Sequence, residues 1–333
     1  MSRLRVAIVG AGGWGEQHAR ALAARDDVEL VGFCARTWTR VRARAERHRA
    51  RAYVDIGEML VRERPDLVFL SLPNREHLAP TLAVIEAGVP LVVEKPLAFG
   101  LDEGERLIAA ARARGLFFAI NFNHRFARAL ELARDAVGSG RIGDIVYASW
   151  RFGGEGGACE AHDNLIETQC HGFDQLEWLC GPIRSLAMQA YAPTGRGPST
   201  VALTLGFAGG AVGTMLGSYD ASYAQPATHR LEIGGTRGRI VVEDTVRRLT
   251  ISTHGSEHAE VWEPGYFNDR DRSFHQTMDR HLDAILRGFR AGAPPPVPAE
   301  AGLRALTLAH AAIRSQREGR VVAIDEVRAA GRG

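Results

Sequence analysis

Of the 41 basic residues in this chain of 333, Lys95 is the only lysine and all the others are arginine. Arginine serves wherever a surface cation suffices, but it cannot release its proton, whereas a lysine amine can be tuned for proton chemistry. Lys95 lies in Glu94-Lys95-Pro96, directly after the apolar run LVV. At the end of a buried strand its amine is partly desolvated and can donate a hydrogen bond to a substrate oxygen, with Glu94 moderating the charge. The plain alternative is a coding bias that spared one lysine by chance.

A second reactive cluster runs from Glu167 through Thr168, Gln169, Cys170, His171, Gly172 and Phe173 to Asp174. On a helix Glu167, His171 and Asp174 fall at i, i+4 and i+7, one face that can hold an imidazole between carboxylates for proton transfer. These residue types also ligate metals, but no HExxH or cysteine-rich partner accompanies them, so acid–base work ranks above metal binding and no metal is expected. The bland alternative is a capped helix with one hydrogen-bonded histidine.

The third signal is Gly10-Ala11-Gly12-Gly13-Trp14-Gly15, a GxGxxG pattern. Gly10 permits a tight turn, Gly12 lets the backbone approach a pyrophosphate, and Gly15 allows close helix packing. The motif follows the β-branched run LRVAIV and opens the helical pattern WGEQHARALAA, so a helix N-terminus can hold the diphosphate. The carboxylate that would bond a ribose 2′-hydroxyl is expected about 20 residues on. Twenty residues past Gly15 stands Ala35, followed by Arg36 and Thr37, with Arg40 one helical turn further. That cationic, hydroxyl-bearing stretch suits a 2′-phosphate, which favours NADP over NAD as second choice.

The elements that position these residues follow from periodicity. Apolar runs at 4–9, 28–34, 65–73, 90–93 and 116–120 alternate with helical patterns. Strands alternating with helices over roughly the first 120 residues imply a doubly wound parallel sheet. From about residue 122, one more helix is followed by strand-like stretches with little helix between them: DIVYASWRF, PIRSLAMQAY, TVALTLGF, AVGTMLGSY, THRLEIGG, GRIVVE and RRLTIS. They predict an α/β domain with a large open, mostly antiparallel sheet. Two helices, at 273–289 and 299–319, close the chain. The expected partition is a dinucleotide-binding domain at 1–121 and a substrate domain at 122–333.

Composition sets the outer bounds. A chain that is 45% hydrophobic and 24% charged is an ordinary globular one, which excludes disorder and collagen-like repetition. A formal net charge of +2, with arginines spread along the chain, gives no field for nucleic-acid binding. No apolar run approaches the ~18 residues of a membrane span. Cys34, Cys159, Cys170 and Cys180 form no CxxC pair and no export signal precedes them, so a reducing cytoplasm is expected.

Taken together, GAGGWG at 10–15, SLPNREH at 71–77, AGVPLVVEKPLA at 87–98, NFNHRF at 121–126, GRIGDI at 140–145, ETQCHGFD at 167–174 and the closing AIRSQREGRVV resemble the glucose–fructose oxidoreductase, inositol dehydrogenase and rhizopine catabolism (Gfo/Idh/MocA) family. The resemblance spans nearly the whole chain. It implies an N-terminal Rossmann domain, a C-terminal α/β domain whose open sheet commonly forms homodimer or homotetramer contacts, and a nicotinamide cofactor. It places Ser71, Pro73, Asn74, His77 and Glu94 near that cofactor, and Lys95 and His171 at the substrate carbon, with Asn123, Arg125 and Asp174 toward the substrate. The expected activity is NADP-dependent interconversion of a secondary alcohol and a ketone on a sugar, polyol or related small molecule, with Lys95, His171 and Glu167 as catalytic residues. One departure stands out: the family helix usually reads Asp-x-Gly-x-His-x-x-Asp, whereas this chain has Glu167 and Gln169. Two alternatives accompany that departure: a cofactor-retaining glycosidase-type enzyme of the same family, and a nonenzymatic dinucleotide-binding sensor.

Overall fold

The computed structural model describes residues 3–155, 161–193 and 197–330, with side chains to 327. The chain forms two compact units: Met1–Phe122 with Met278–Leu303, and Asn123–Thr277 with Arg304–Gly333. The sequence reading makes one cut near residue 121 and leaves residues 278–303 with the C-terminal part; here they pack with the first unit. Cys159 lies outside the described residues.

The first unit is built on six parallel strands: β1 (Leu4–Val9), β2 (Val28–Cys34), β3 (Arg51–Tyr53), β4 (Leu67–Leu70), β5 (Leu91–Val93) and β6 (Phe118–Ile120). Their order is β3-β2-β1-β4-β5-β6, so the sheet reverses direction of growth beside β1, where open α/β sheets bind ligands. Helices α1 (Gly13–Ala23), α2 (Trp38–His48), α3 (Ile56–Glu63), α4 (Leu78–Glu86) and α5 (Leu101–Ala113) connect the strands. The strands are apolar on both faces because helices cover both, as the all-buried pattern of β4 and β5 shows. The short strand β3 and helix α3 are additions to the elements read from the sequence; Asp55 caps α3 by accepting the Glu58 N–H. The returning segment completes the core: Leu282, Ile285 and Leu286, at i, i+3 and i+4 of the helix His275–Arg290, pack with Leu22, Leu30, Phe33 and Phe69.

The second unit carries α6 (Arg128–Gly138) and α7 (Cys170–Cys180) on a nine-stranded sheet. Its strands are β7 (Ile145–Gly153), β8 (Ile183–Tyr191), β9 (Thr200–Phe207), β10 (Val212–Ser218), β11 (His229–Gly235), β12 (Gly238–Glu243), β13 (Arg248–Thr253), β14 (Ala259–Trp262) and β15 (Val322–Ala323). All seven stretches read as strands from the sequence are strands, and the two added ones, β14 and β15, form the sheet edges. Every pairing is antiparallel except β10 with β7. Period-two alternation divides the sheet faces. Val201, Leu203, Leu205, Met215 and Trp150 are buried, while Val212 and Leu216 on the other face of β10 are exposed.

Candidate cofactor and proton-transfer sites

The glycine-rich turn between β1 and α1 has the form its sequence predicts. Gly10 has φ +120°, and a Cβ there would stand 1.9 Å from the Ser71 carbonyl oxygen; a Cβ on Gly15 would stand 2.3 Å from the Gly10 oxygen. Both glycines are therefore fixed by backbone packing. Gly12 and Gly13 differ, since a Cβ on either meets nothing within 4 Å. No side chain caps the first amides of α1, whose N-cap is Gly12. Open space over uncapped amides is a cradle for an anion, and the residues present fit a dinucleotide diphosphate. Trp14 is exposed beside it.

Past the end of β2, Ala35 is half-buried, and Arg36 and Arg40 are exposed. Arg36 forms a 2.9 Å ion pair with Glu76, in the short turn Asn74–Glu76 that also carries Asn74 after the exposed Pro73. Sequence reasoning missed that carboxylate because it comes from a loop 40 residues away. It also missed Arg44, one turn beyond Arg40, which pairs with Glu16 at 2.9 Å and points its Nε at the Ala11 carbonyl in the glycine turn. His77 is buried with Nε2 3.0 Å from the Leu72 carbonyl, and burial holds its pKa below the ordinary histidine value.

Glu94 closes β5 as a buried hub. His18 Nε2 lies 2.7 Å from its Oε1, Asn121 donates to the same oxygen at 2.6 Å, and His281 Nδ1 lies 2.8 Å from Asn121 Oδ1. Burial alone would raise the carboxyl pKa; His18, Lys95 and Asn121 together outweigh it and hold it below the ordinary value. The Lys95 backbone N–H donates to Glu94 Oε2 at 3.3 Å, and the Lys95–Pro96 peptide is cis. Lys95 thus starts at the carboxyl end of a fully buried strand, where the sequence reading puts it.

In the second unit the helical face expected for Glu167, His171 and Asp174 is interrupted. Residues Asn164–Thr168 form one π-helical turn, closed by Gln169 N–H to Asn164 carbonyl at 3.0 Å, and α7 begins after it. Such a turn shifts the register, so Glu167 is not on the α-helical face of His171 and Asp174. Glu167 lines a cleft of about 220 Å³ with Glu155, Asp163 and Tyr219. Asp174 is paired with Arg125, whose Nε donates at 2.8 Å and whose guanidinium also lies over Trp178. Burial raises the Asp174 pKa and Arg125 pulls it back only in part. Asn123 is spent on the Thr277 hydroxyl at 2.7 Å. The ring set against His171 is that of His124, with centroids 4.0 Å apart and planes within 8°. Its signal lay in NFNHRF, between two residues already singled out.

Gln169 turns away from this cluster. It is fully buried, accepts the Trp150 indole N–H at 3.1 Å and donates to Asn164 Oδ1 at 3.0 Å, above Gly217, where a Cβ would collide with it. The departure at this position is therefore a packing device of helix against sheet. Gly172 serves the same contact, since a Cβ there would stand 2.5 Å from Trp150 Nε1. Burial pushes the thiols of Cys34 and Cys180 up to about 12, which removes them as nucleophiles. Among the described residues, no helix is long and apolar enough to cross a membrane.

Comparison with known proteins agrees with this architecture. Residues 4–122 match the GFO_IDH_MocA oxidoreductase family, NAD-binding Rossmann fold, and residues 134–324 match its C-terminal alpha/beta domain. The chain is 26% identical to myo-inositol 2-dehydrogenase of Thermotoga maritima, over 97% of this chain and 99% of that protein. It is 36% identical to D-glucoside 3-dehydrogenase of Escherichia coli over 152 residues, 45% of this chain and 43% of that protein. Among solved structures, a probable dehydrogenase from Thermotoga maritima superposes with a TM-score of 0.82 at 25% identity, covering 97% of this chain and all of that one.

Proposed function

The chain belongs to the Gfo/Idh/MocA oxidoreductase family, and from that premise we propose that it is an NADP-dependent dehydrogenase interconverting a secondary alcohol and a ketone on a sugar, polyol or related small molecule. The observation that carries the reading is the α1 N-terminus, uncapped and open over Gly12 and Gly13. Gly10, Gly12, Gly13, Trp14 and Gly15 hold the diphosphate; Ala35, Arg36 and Arg40 face the adenosine end; Ser71, Pro73, Asn74, His77 and Glu94 line the path toward the nicotinamide. When bound, the cofactor supplies the hydride acceptor or donor. His171 takes or returns the hydroxyl proton, and Lys95 donates a hydrogen bond to the reacting oxygen and stabilises its developing charge. Glu167 is assigned a supporting carboxylate role, and Arg125, Asn123 and Asp174 hold the wall of the substrate region. The named activities of the relatives on inositol and glucosides support the sugar and polyol class.

A second cofactor reading, NAD, rests on Glu76. Its carboxylate neutralises Arg36 and can accept from a ribose 2′-hydroxyl, the role an acidic residue after β2 plays elsewhere. Fluorescence titration with NADPH and NADH separates the two. Preference for NADPH, lost in Arg36→Ala, supports the first reading; preference for NADH overturns it in favour of the second. A cytoplasmic homodimer or homotetramer completes the proposal, supported by exposed Val146, Tyr147, Val212 and Leu216 on the open sheet face.

A further inference from the structure

The reaction as proposed leaves two buried imidazoles of the second unit unused, those of His124 and His229. His124, in the turn Asn123–Phe126, lies flat against His171 at 4.0 Å and 8°. It is walled in by Phe274, edge-on at 5.2 Å, and by Phe152 at 6.4 Å. Gln175, one turn past His171 on α7 and fully buried, sets its amide nitrogen 2.9 Å from His124 Nδ1. With the amide nitrogen turned to the ring, Nδ1 is the acceptor and the ring hydrogen sits on Nε2.

The charged and titratable groups of the surrounding elements are few. Glu167 lies in the π-helical turn before α7 and lines the cleft with Glu155 and Asp163; Asp174 is paired with Arg125; Glu177, further along α7, is held by Arg304; Arg134 of α6 lies over Trp178. On β11, His229 stands 5.9 Å from His124 and burial depresses its pKa to about 3, so it stays neutral.

We propose that His124 is a positioning residue whose neutral ring, locked by Gln175, sets the plane of the His171 imidazole and confines proton exchange to His171. The inference rests on the reading of His171 as the proton-exchanging group. A flat neighbour removes the ring-flip freedom that an isolated imidazole keeps. Two imidazolium rings stacked this closely repel, so a proton on one ring excludes a proton on the other. By denying the proton to His124, Gln175 gives it to His171.

Nitrogen-15 NMR of the imidazole nitrogens in the full-length protein, titrated through neutral pH, tests this without a substrate. The expected result is a His124 Nδ1 that stays unprotonated while His171 titrates alone. In Gln175→Glu the new carboxylate accepts from Nδ1, His124 becomes cationic, and the His171 midpoint falls by about one pH unit. In His124→Phe, which keeps a flat neutral ring, the midpoint moves by less than about a third of that. Co-titration of both rings in the wild type, or a Gln175→Glu midpoint equal to wild type, overturns the proposal. If Gln175→Glu does not fold, the wild-type Nδ1 signal decides. His171→Asn in a polyol turnover screen tests the underlying reading separately: full activity removes His171 from the reaction, while the NMR result still decides whether His124 controls its protonation.

Discussion

His18 and Glu94 meet at 2.7 Å with both side chains almost entirely buried, one from the first helix and one from the end of the fifth strand. This contact ties the helix that follows the glycine-rich turn to the strand that precedes Lys95. Removing one partner of a buried pair leaves the other uncompensated, so His18→Ala is expected to cost about 3 kcal/mol, read from chemical denaturation.

The same carboxylate predicts a pH dependence. The folded-state pKa of Glu94 lies below its ordinary 4.5, so its stabilising contribution is complete above that value and is lost as pH falls through the lowered one. Glu94→Gln should therefore be less stable than wild type at neutral pH, and the gap should narrow on acidification. Thermal unfolding of both proteins at pH 7 and below pH 4 measures it.

The two kinds of glycine in the turn separate folding from binding. Gly10→Ala drives a Cβ into the Ser71 carbonyl and is expected to lower the melting temperature sharply. Gly12→Val meets only open space, so the protein should keep its melting temperature while its dinucleotide affinity drops at least about tenfold. Equal affinity of Gly12→Val and wild type would remove the cradle from the cofactor site.

Glu76→Gln frees Arg36 from its exposed partner. A surface pair of this kind is worth up to about 1 kcal/mol, so the NADPH to NADH affinity ratio should rise about two- to fivefold. A fall in the ratio would show that Glu76 itself selects for phosphate.

Lys95→Met keeps the length of the side chain and removes its charge and donors. Turnover is expected to fall at least about a hundredfold with cofactor affinity within about twofold of wild type. Full activity would exclude Lys95 from the reaction.

Much of this was legible in the residues themselves. Five of the six strands of the parallel sheet announce themselves as short apolar runs, all but the three-residue β3, and the GxGxxG turn carries its own geometry. The π-helical turn before His171 does not, because Glu167, His171 and Asp174 read as a perfect α-helical face and only the Gln169-to-Asn164 bond reveals the shift. Partners that come from distant loops were equally hidden: no local spacing connects Glu76 to Arg36, or His18 to Glu94. Gln169 looked like a change of chemistry and proved to be a packing contact, since sequence position alone does not tell which side of a helix meets the sheet.

The segment Met278–Leu303 also sets an order of events at the ribosome. When the first 122 residues emerge, Phe33 and Phe69 lack the covering side chains of Leu282, Ile285 and Leu286. Synthesis must pass through eight of the nine strands of the second sheet, up to β14, before those three side chains exist. The nascent N-terminal sheet therefore waits with an apolar flank open to water, and its maturation is timed by the translation of a different unit.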